Sequence, residues 1–262
     1  MIKKGVGCFI HETAFIDDDA DVTLGDHVYI GAGVRILQGK VIIGDYSKIH
    51  NNVLINPLKY VILGHLSWIG QGTILDGTGG IYAGNYLGVG MNSALYSHIR
   101  HGDVLEGCNY DRDKQLIIKD DVWFVGQCLV SPIVAESKSM AMLGSVITSD
   151  MQENCIYGGN PAVYLSNKLG KPYKENCLTK KLVMMNEYLK EYNKLFNKNF
   201  KCYFVDHYYN DLDDNITYYN ILDRTYTKRN TDEEIKFNKW LFKYKAKFVP
   251  RYEGINFNDI LQ

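Results

Sequence analysis

The 262-residue chain carries 29 Lys and Arg against 30 Asp and Glu, a net charge of -1 at neutral pH. A balance so even supplies no field that would draw in nucleic acid, so the expected ligand is a small molecule or a locally charged one. No apolar run approaches the roughly 18–20 residues of a membrane span, and the opening MIKKGVGCFIHET lacks a signal-peptide stretch, so a soluble, cytoplasmic protein is expected. The 6 cysteines form no C-x-x-C pair and fit free thiols in a reducing compartment.

From the amino terminus onward the chain is periodic. Aliphatic or small residues recur six apart at Leu24, Ile30 and Ile36, then Ile43, Ile49 and Ile55, then Leu63, Ile69 and Leu75, then Ala83, Val89 and Leu95, and again at Ile118, Phe124 and Val130. Ile10, Ile16 and Val22 read as the first coil. Three hexads make one unit, and units begin about 19 or 20 residues apart as far as Leu95, a spacing that belongs to stacked coils. Val28, Val34, Ser47, Val53, Ser67, Thr73, Leu87 and Ser93 stand four positions into their hexads and predict a second inward row. Each hexad reads as a short strand with its aliphatic residue on a narrow axis, closed by a turn of Gly or Asp/Asn. The expected class is an all-β solenoid over residues 1–166. An antiparallel sandwich does not account for five units in one phase.

At this point the sequence resembles the hexapeptide-repeat transferases. The resemblance implies a left-handed parallel β-helix, an exception to right-handed crossovers that the spacing itself does not reveal.

Between Leu95 and Ile118 the period fails, and the interval exceeds one coil step by about fifteen residues. The inserted loop, about 96–116, is polar and ionisable, and loops carried by a rigid scaffold are where chemistry tends to sit. LYSHIRHGD, then IIKDDVWFVG, LGSVIT and YGGNPAVYL, in that order, are similar to the maltose, galactoside and xenobiotic acetyltransferases and to polysaccharide O-acetyltransferases. That resemblance covers roughly residues 10–166 and implies His98 as catalytic base. The chemistry agrees: acyl transfer from a thioester needs a proton removed from the attacking alcohol or amine, and neutral imidazole is suited to take it. His101 is a rival base or an acceptor contact. Asp103 and Glu106 are candidates to orient the imidazole.

The resemblance also implies acetyl-CoA as donor, no metal, a sugar or glycan acceptor, and a homotrimer with sites between subunits. Donor contacts would run near Trp123, Gly126, Gly144 and Ser145 toward the turn at Asn160 and Pro161, with Trp123 a possible substrate contact. Gly126, Gly144 and Gly159 also read as plain coil corners. Val163 stands where the family commonly has a basic residue, so Lys168 or Lys171 is the expected phosphate contact.

Beyond residue 166 the composition turns to Lys, Asn, Tyr and Asp, and residues 167–262 read as a small α/β module. A helix is expected over 177–196, strands over 201–206 and 216–222, and a second helix over 231–248 opened by T-x-x-E. Its lysines interleave with apolar residues, a pattern that fits membrane contact through 236–251 less well than packing of the apolar side on the rest of the protein. Two other functions fit less well. A γ-class carbonic anhydrase-like metal site would draw on His50, His65, His98 and His101, but a ligand five residues after His98 falls on Asp103. A non-catalytic scaffold leaves the inserted loop without a purpose.

Overall fold

The computed structural model describes residues 1–99, 101–109, 112–209 and 212–251. Arg100, Tyr110, Asp111 and the stretch 252–262, part of the expected loop and module, lie outside the described residues. Two compact units are present, Met1–Tyr173 and Lys174–Gln262.

In the first unit the chain runs around three parallel sheets, and each sheet takes about every third strand in sequence. One sheet aligns Leu24, Ile43, Leu63, Ala83, Ile118 and Ala135; the second aligns Ile10, Ile30, Ile49, Ile69, Val89, Phe124 and Ala141; the third aligns Ile16, Ile36, Ile55, Leu75, Leu95, Val130 and Ile147. As far as Val130 these are the periodic positions of the sequence, and the rows form one continuous core with the partly buried Ile10 and Ile16 packed against it. Burying such a side chain stabilises by roughly 1.5–3 kcal/mol, but a lone coil leaves its row exposed above and below, so cohesion comes from stacking. The last coil is one residue tighter than the sequence suggests. Its inward residues are Ala141 and Ile147, where the period alone predicts Met142 and Thr148, because the corner after Val130 is shortened.

The corners are held by a ladder of side chains. Asp26 N–H donates to Asp45 Oδ1 (3.0 Å), Asp45 N–H to His65 Nδ1 (2.8 Å), His65 N–H to Asn85 Oδ1 (2.9 Å) and Asn85 N–H to Asp120 Oδ1 (2.7 Å). Each rung satisfies a backbone donor that the sheets do not reach. The residue after each rung turns left-handed, with positive φ at His27, Tyr46, Leu66, Tyr86 and Asp121. The rungs, with backbone bonds such as Tyr46 N–H to Asp26 O (2.8 Å), offset the cost of that conformation for bulky side chains.

The first unit extends past the repeat to Tyr173. Ser166, the first residue of helix α1 (Ser166–Leu169), accepts Ile156 N–H at its Oγ (2.7 Å). Tyr173 exchanges two 3.0 Å bonds with the Asn154 side chain and donates its hydroxyl to Asp121 O (3.3 Å).

The second unit packs α2 (Leu178–Phe196) and α3 (Asp232–Leu241) with a four-stranded sheet of Cys202–Val205, Thr217–Asn220, Thr225–Tyr226 and Val249–Pro250. The expected second helix is shorter than its pattern. It ends at Leu241, passes through a 3-10 turn at Phe242–Tyr244, and Lys245 at φ 58 stops it before the final strand. Phe237, Leu241 and Phe248 are buried in this unit's core, so the apolar side of 236–251 is packed inward while Lys236, Lys239 and Lys243 face solvent. The T-x-x-E start forms half of a capping box: Thr231 Oγ1 accepts Glu234 N–H (3.3 Å), but the Glu234 carboxylate reaches past the cap to accept Asn230 N–H (3.1 Å) and Arg229 N–H (3.0 Å). All six cysteines are free thiols, with Cys128, Cys155 and Cys202 buried and Cys177 exposed.

Candidate active site

The coil opens immediately after Leu95. Ser97 is fully buried and pins the departing chain to the coil below it: its N–H (3.1 Å) and its Oγ (2.6 Å) both donate to Asp76 O, and its Oγ accepts Gly79 N–H (2.8 Å). The next two residues, His98 and Ile99, pair antiparallel with Asp113 and Arg112. The insertion therefore begins and ends as a hairpin, which fixes the direction in which His98 leaves the scaffold.

His98 Nδ1 lies 3.3 Å from Asp76 Oδ1, with side chains 27% and 15% exposed. The separation is that of an ion pair, yet the contact is not a hydrogen bond, and Nδ1 is buried without a hydrogen-bond partner. The distance is the better guide to electrostatics, because Coulomb attraction depends little on angle and catalytic hydrogen bonds of free enzymes are often poorly aligned. The carboxylate is itself fixed, since Asp76 Oδ1 accepts Thr78 N–H (3.1 Å) and Thr78 Oγ1–H (2.6 Å). A carboxylate at Nδ1 favours the tautomer with its proton there, leaving the Nε2 lone pair to accept one.

Asp76 is absent from the sequence-level candidates. Its signal is the D-G-T turn after an inward aliphatic residue, in register with Tyr96 of the next coil. The carboxylates proposed from the sequence stand elsewhere. Asp103 is exposed and closes its own turn by accepting Leu105 N–H (2.8 Å), and His101 and Glu106 are exposed on the same loop.

The donor candidates fall into three places. Trp123 is 47% exposed on the outer face of the second sheet, beside Gly88, where a Cβ would come within 3.1 Å of the indole. Gly126 and Gly144 stack at one corner, with Gly144 N–H donating to Gly126 O (2.9 Å) and open space where a Gly144 side chain would stand. Ser145 is buried, and its hydroxyl donates to Met142 O (2.6 Å). Asn160 and Pro161 are exposed and joined by a cis peptide bond in the turn between Ile156–Gly159 and Ala162–Tyr164, and Lys168 is exposed on α1.

Two further histidines have structural roles. His65 is a rung of the corner ladder, and the His50 ring lies tilted against Trp68 at 4.7 Å. Burial, and then the Lys48 charge, hold His50 below the usual imidazole range. Among the described residues no group of three or more His, Cys, Asp or Glu is arranged to hold a metal ion. No helix among them is long and apolar enough to cross a membrane.

The fold and site define a three-sided parallel coil that opens at a histidine–carboxylate pair. Similar solved structures include the polySia-specific acetyltransferase NeuO (17% identity, 75% of this chain and 98% of that one, TM-score 0.45). AntD, an N-acyltransferase from Bacillus cereus in complex with dTDP and 3-hydroxybutyryl-CoA, is similar at 19% identity over 72% of this chain and 90% of that one, with a TM-score of 0.44. A hexapeptide-repeat-containing acetyltransferase from Vibrio cholerae O1 biovar eltor, complexed with acetyl-CoA, shares 20% identity over 61% of this chain and 70% of that one, with a TM-score of 0.33. No protein-family model and no curated protein matches the chain.

Proposed function

We propose that the protein is a cytoplasmic acyltransferase built on a left-handed parallel β-helix, moving an acetyl group from acetyl-CoA directly to a hydroxyl or amine of a sugar or glycan precursor. The observation that carries this reading is the His98–Asp76 pair, held at 3.3 Å where the coil opens. His98 Nε2 takes the acceptor proton as the acceptor oxygen or nitrogen attacks the thioester carbonyl carbon. The tetrahedral intermediate collapses with cleavage of the carbon–sulfur bond, and the departing thiolate receives the proton from the imidazolium. Asp76 stabilises the transient positive charge. General-base assistance of this kind contributes about 10²–10⁴-fold.

The donor arm runs along the open Gly126–Gly144 corner toward Asn160 and Pro161, with Trp123 flanking it and Lys168 meeting a phosphate. Ser145 contributes through its backbone, because its hydroxyl is turned inward. His101 and Asp103 contact the acceptor from the loop. The functional unit is a homotrimer, with each site between two subunits.

The test is thiol release from acetyl-CoA with a panel of amino and hydroxyl sugars, with products identified by mass, in the wild type and in His98→Ala. Acyl transfer in the wild type that falls at least about a hundredfold in the variant is expected, with donor affinity and melting temperature unchanged. Full activity of His98→Ala sinks the base assignment. Light scattering checks the trimer, and a fully active monomer refutes it.

A further inference from the structure

Asp76 stands in a column of outward side chains that crosses three successive coils. Asn56, Asp76 and Tyr96 are in register in the third sheet, with about 4.8 Å from one strand to the next. Leu95 and Ser97 are turned inward and fully buried, so Tyr96 between them faces out and is 37% exposed. His98 follows two residues later, roughly 6–7 Å along the chain, and its Nδ1 reaches back to within 3.3 Å of Asp76 Oδ1. An aromatic ring and the candidate base thus stand side by side, separated by about the width of a sugar ring.

The turn that follows Asp76 is rigid and adds little bulk. Between Asp76 and Ile81 it holds only Thr78 and three glycines, and the Thr78 hydroxyl is drawn back to Asp76 Oδ1 (2.6 Å). Gly79 N–H donates to Ser97 Oγ (2.8 Å), and Gly80 O accepts the N–H of Leu116 (3.0 Å), where the coil resumes. From the coil below, the Tyr60 ring lies against Gly80, its Cζ 2.6 Å from where a Cβ would stand. The turn is therefore tied to the coils on both sides, which fixes Asp76 relative to Tyr96.

The column selects a ligand by its chemistry. The face of an aromatic ring is electron-rich and attracts the weakly positive C–H hydrogens on the apolar face of a pyranose. The Asn56 amide both donates and accepts, which suits the hydroxyls along the rim of that ring. We propose that Tyr96 is the acceptor platform: a pyranose stacks its C–H face on Tyr96, bonds Asn56 through a rim hydroxyl and turns its nucleophile toward His98 Nε2. This assignment rests on His98 as the base of the acyl transfer and adds the residue that prefers a saccharide to an acyclic alcohol or amine.

Two readouts on the full chain test it. Saturation-transfer NMR with methyl β-glucopyranoside and glucosamine reports binding without turnover. The axial hydrogens of one ring face should receive the strongest transfer, Tyr96→Ala should abolish it and Tyr96→Phe should keep it. In acyl-transfer kinetics with the best sugar of the panel, Tyr96→Ala should raise the acceptor KM about tenfold or more and leave the KM for acetyl-CoA unchanged. Asn56→Ala should raise the acceptor KM several-fold, and ethanolamine should be a far poorer acceptor than glucosamine. Circular dichroism melts control for folding, and Tyr96→Leu, which keeps the bulk without the aromatic face, replaces Tyr96→Ala if that variant melts early. Pyranoside binding that Tyr96→Ala removes, without acyl transfer to any sugar, supports the saccharide site and refutes the acyltransferase reading. Acyl transfer with an acceptor KM that Tyr96→Ala does not move supports that reading and overturns the platform. Absence of pyranoside binding, equal turnover of ethanolamine, or a Tyr96→Ala protein that changes its mass by light scattering, the mark of a contact between copies, also overturns it.

Discussion

Asp76 Oδ1 stands 3.3 Å from His98 Nδ1, and the same oxygen takes both donors of Thr78. The carboxylate belongs to one coil and the imidazole to the start of the hairpin that leaves the next, so the pair joins rigid scaffold to inserted loop. A positioning role predicts that Asp76→Asn, which keeps the shape and removes the charge, lowers kcat by about tenfold or more and leaves the KM for acetyl-CoA unchanged. Thr78→Val should act in the same direction but less strongly, because it frees the carboxylate to move. Steady-state kinetics on both variants check this. Equal losses in kcat/KM for donor and in melting temperature would instead mark Asp76 as structural.

Ser97 tests how the hairpin is anchored. Its hydroxyl donates to Asp76 O and accepts Gly79 N–H in a fully buried position. Ser97→Ala leaves that amide without its partner, which costs on the order of 1–3 kcal/mol. Urea denaturation should show the loss, and activity should fall as well, because the anchor lies one residue before His98.

Two glycines of the coil should respond to alanine with very different severity. At Gly90 an added Cβ would meet Val125 O at 1.8 Å, backbone against backbone where the coil resumes after the loop. Gly90→Ala is expected to yield insoluble protein or one that melts far below wild type. At Gly144 the space is open and only the φ of +70° opposes a side chain, so Gly144→Ala should cost about 1 kcal/mol. If the donor arm follows this corner, that variant also raises the KM for acetyl-CoA while remaining folded.

These contrasts show why the repeat was legible and the site only in part. Ile30, Ile49 and Ile69 recur because one sheet stacks them on one axis, and periodicity reports stacking directly. His98 was found because it stands where the period stops. Asp76 was not, because its relation to His98 is set by the coil rise and not by nearness in sequence, and D-G-T also reads as an ordinary turn. The one-residue slip at Ala141 and Ile147 has the same origin: a corner shortened by one residue leaves the six-residue pattern nearly intact while moving every inward side chain. In the second unit, the helix start at Thr231 was readable, whereas the end of the helical stretch depended on Lys245 taking a left-handed conformation.

Glu234 gives the last expectation, a pH dependence of the second unit. Burial raises its carboxyl above the usual carboxylate value, against the hydrogen bonds from Thr217, Arg229 and Asn230 that favour the charged form. A group whose folded pKa lies above its unfolded value of 4.5 contributes stability that is fully present below pH 4.5 and is lost as pH rises through the folded value. Other carboxylates titrate nearby, and Glu233 shifts the opposite way because Lys198 bonds its side chain. The informative quantity is therefore the difference between wild type and Glu234→Gln, which is neutral at every pH. Hydrogen exchange of the α3 amides from pH 4.5 to 7 should show the wild type losing stability relative to the variant as pH rises. A difference that stays constant across that range would mean that Glu234 does not titrate on unfolding as its burial requires.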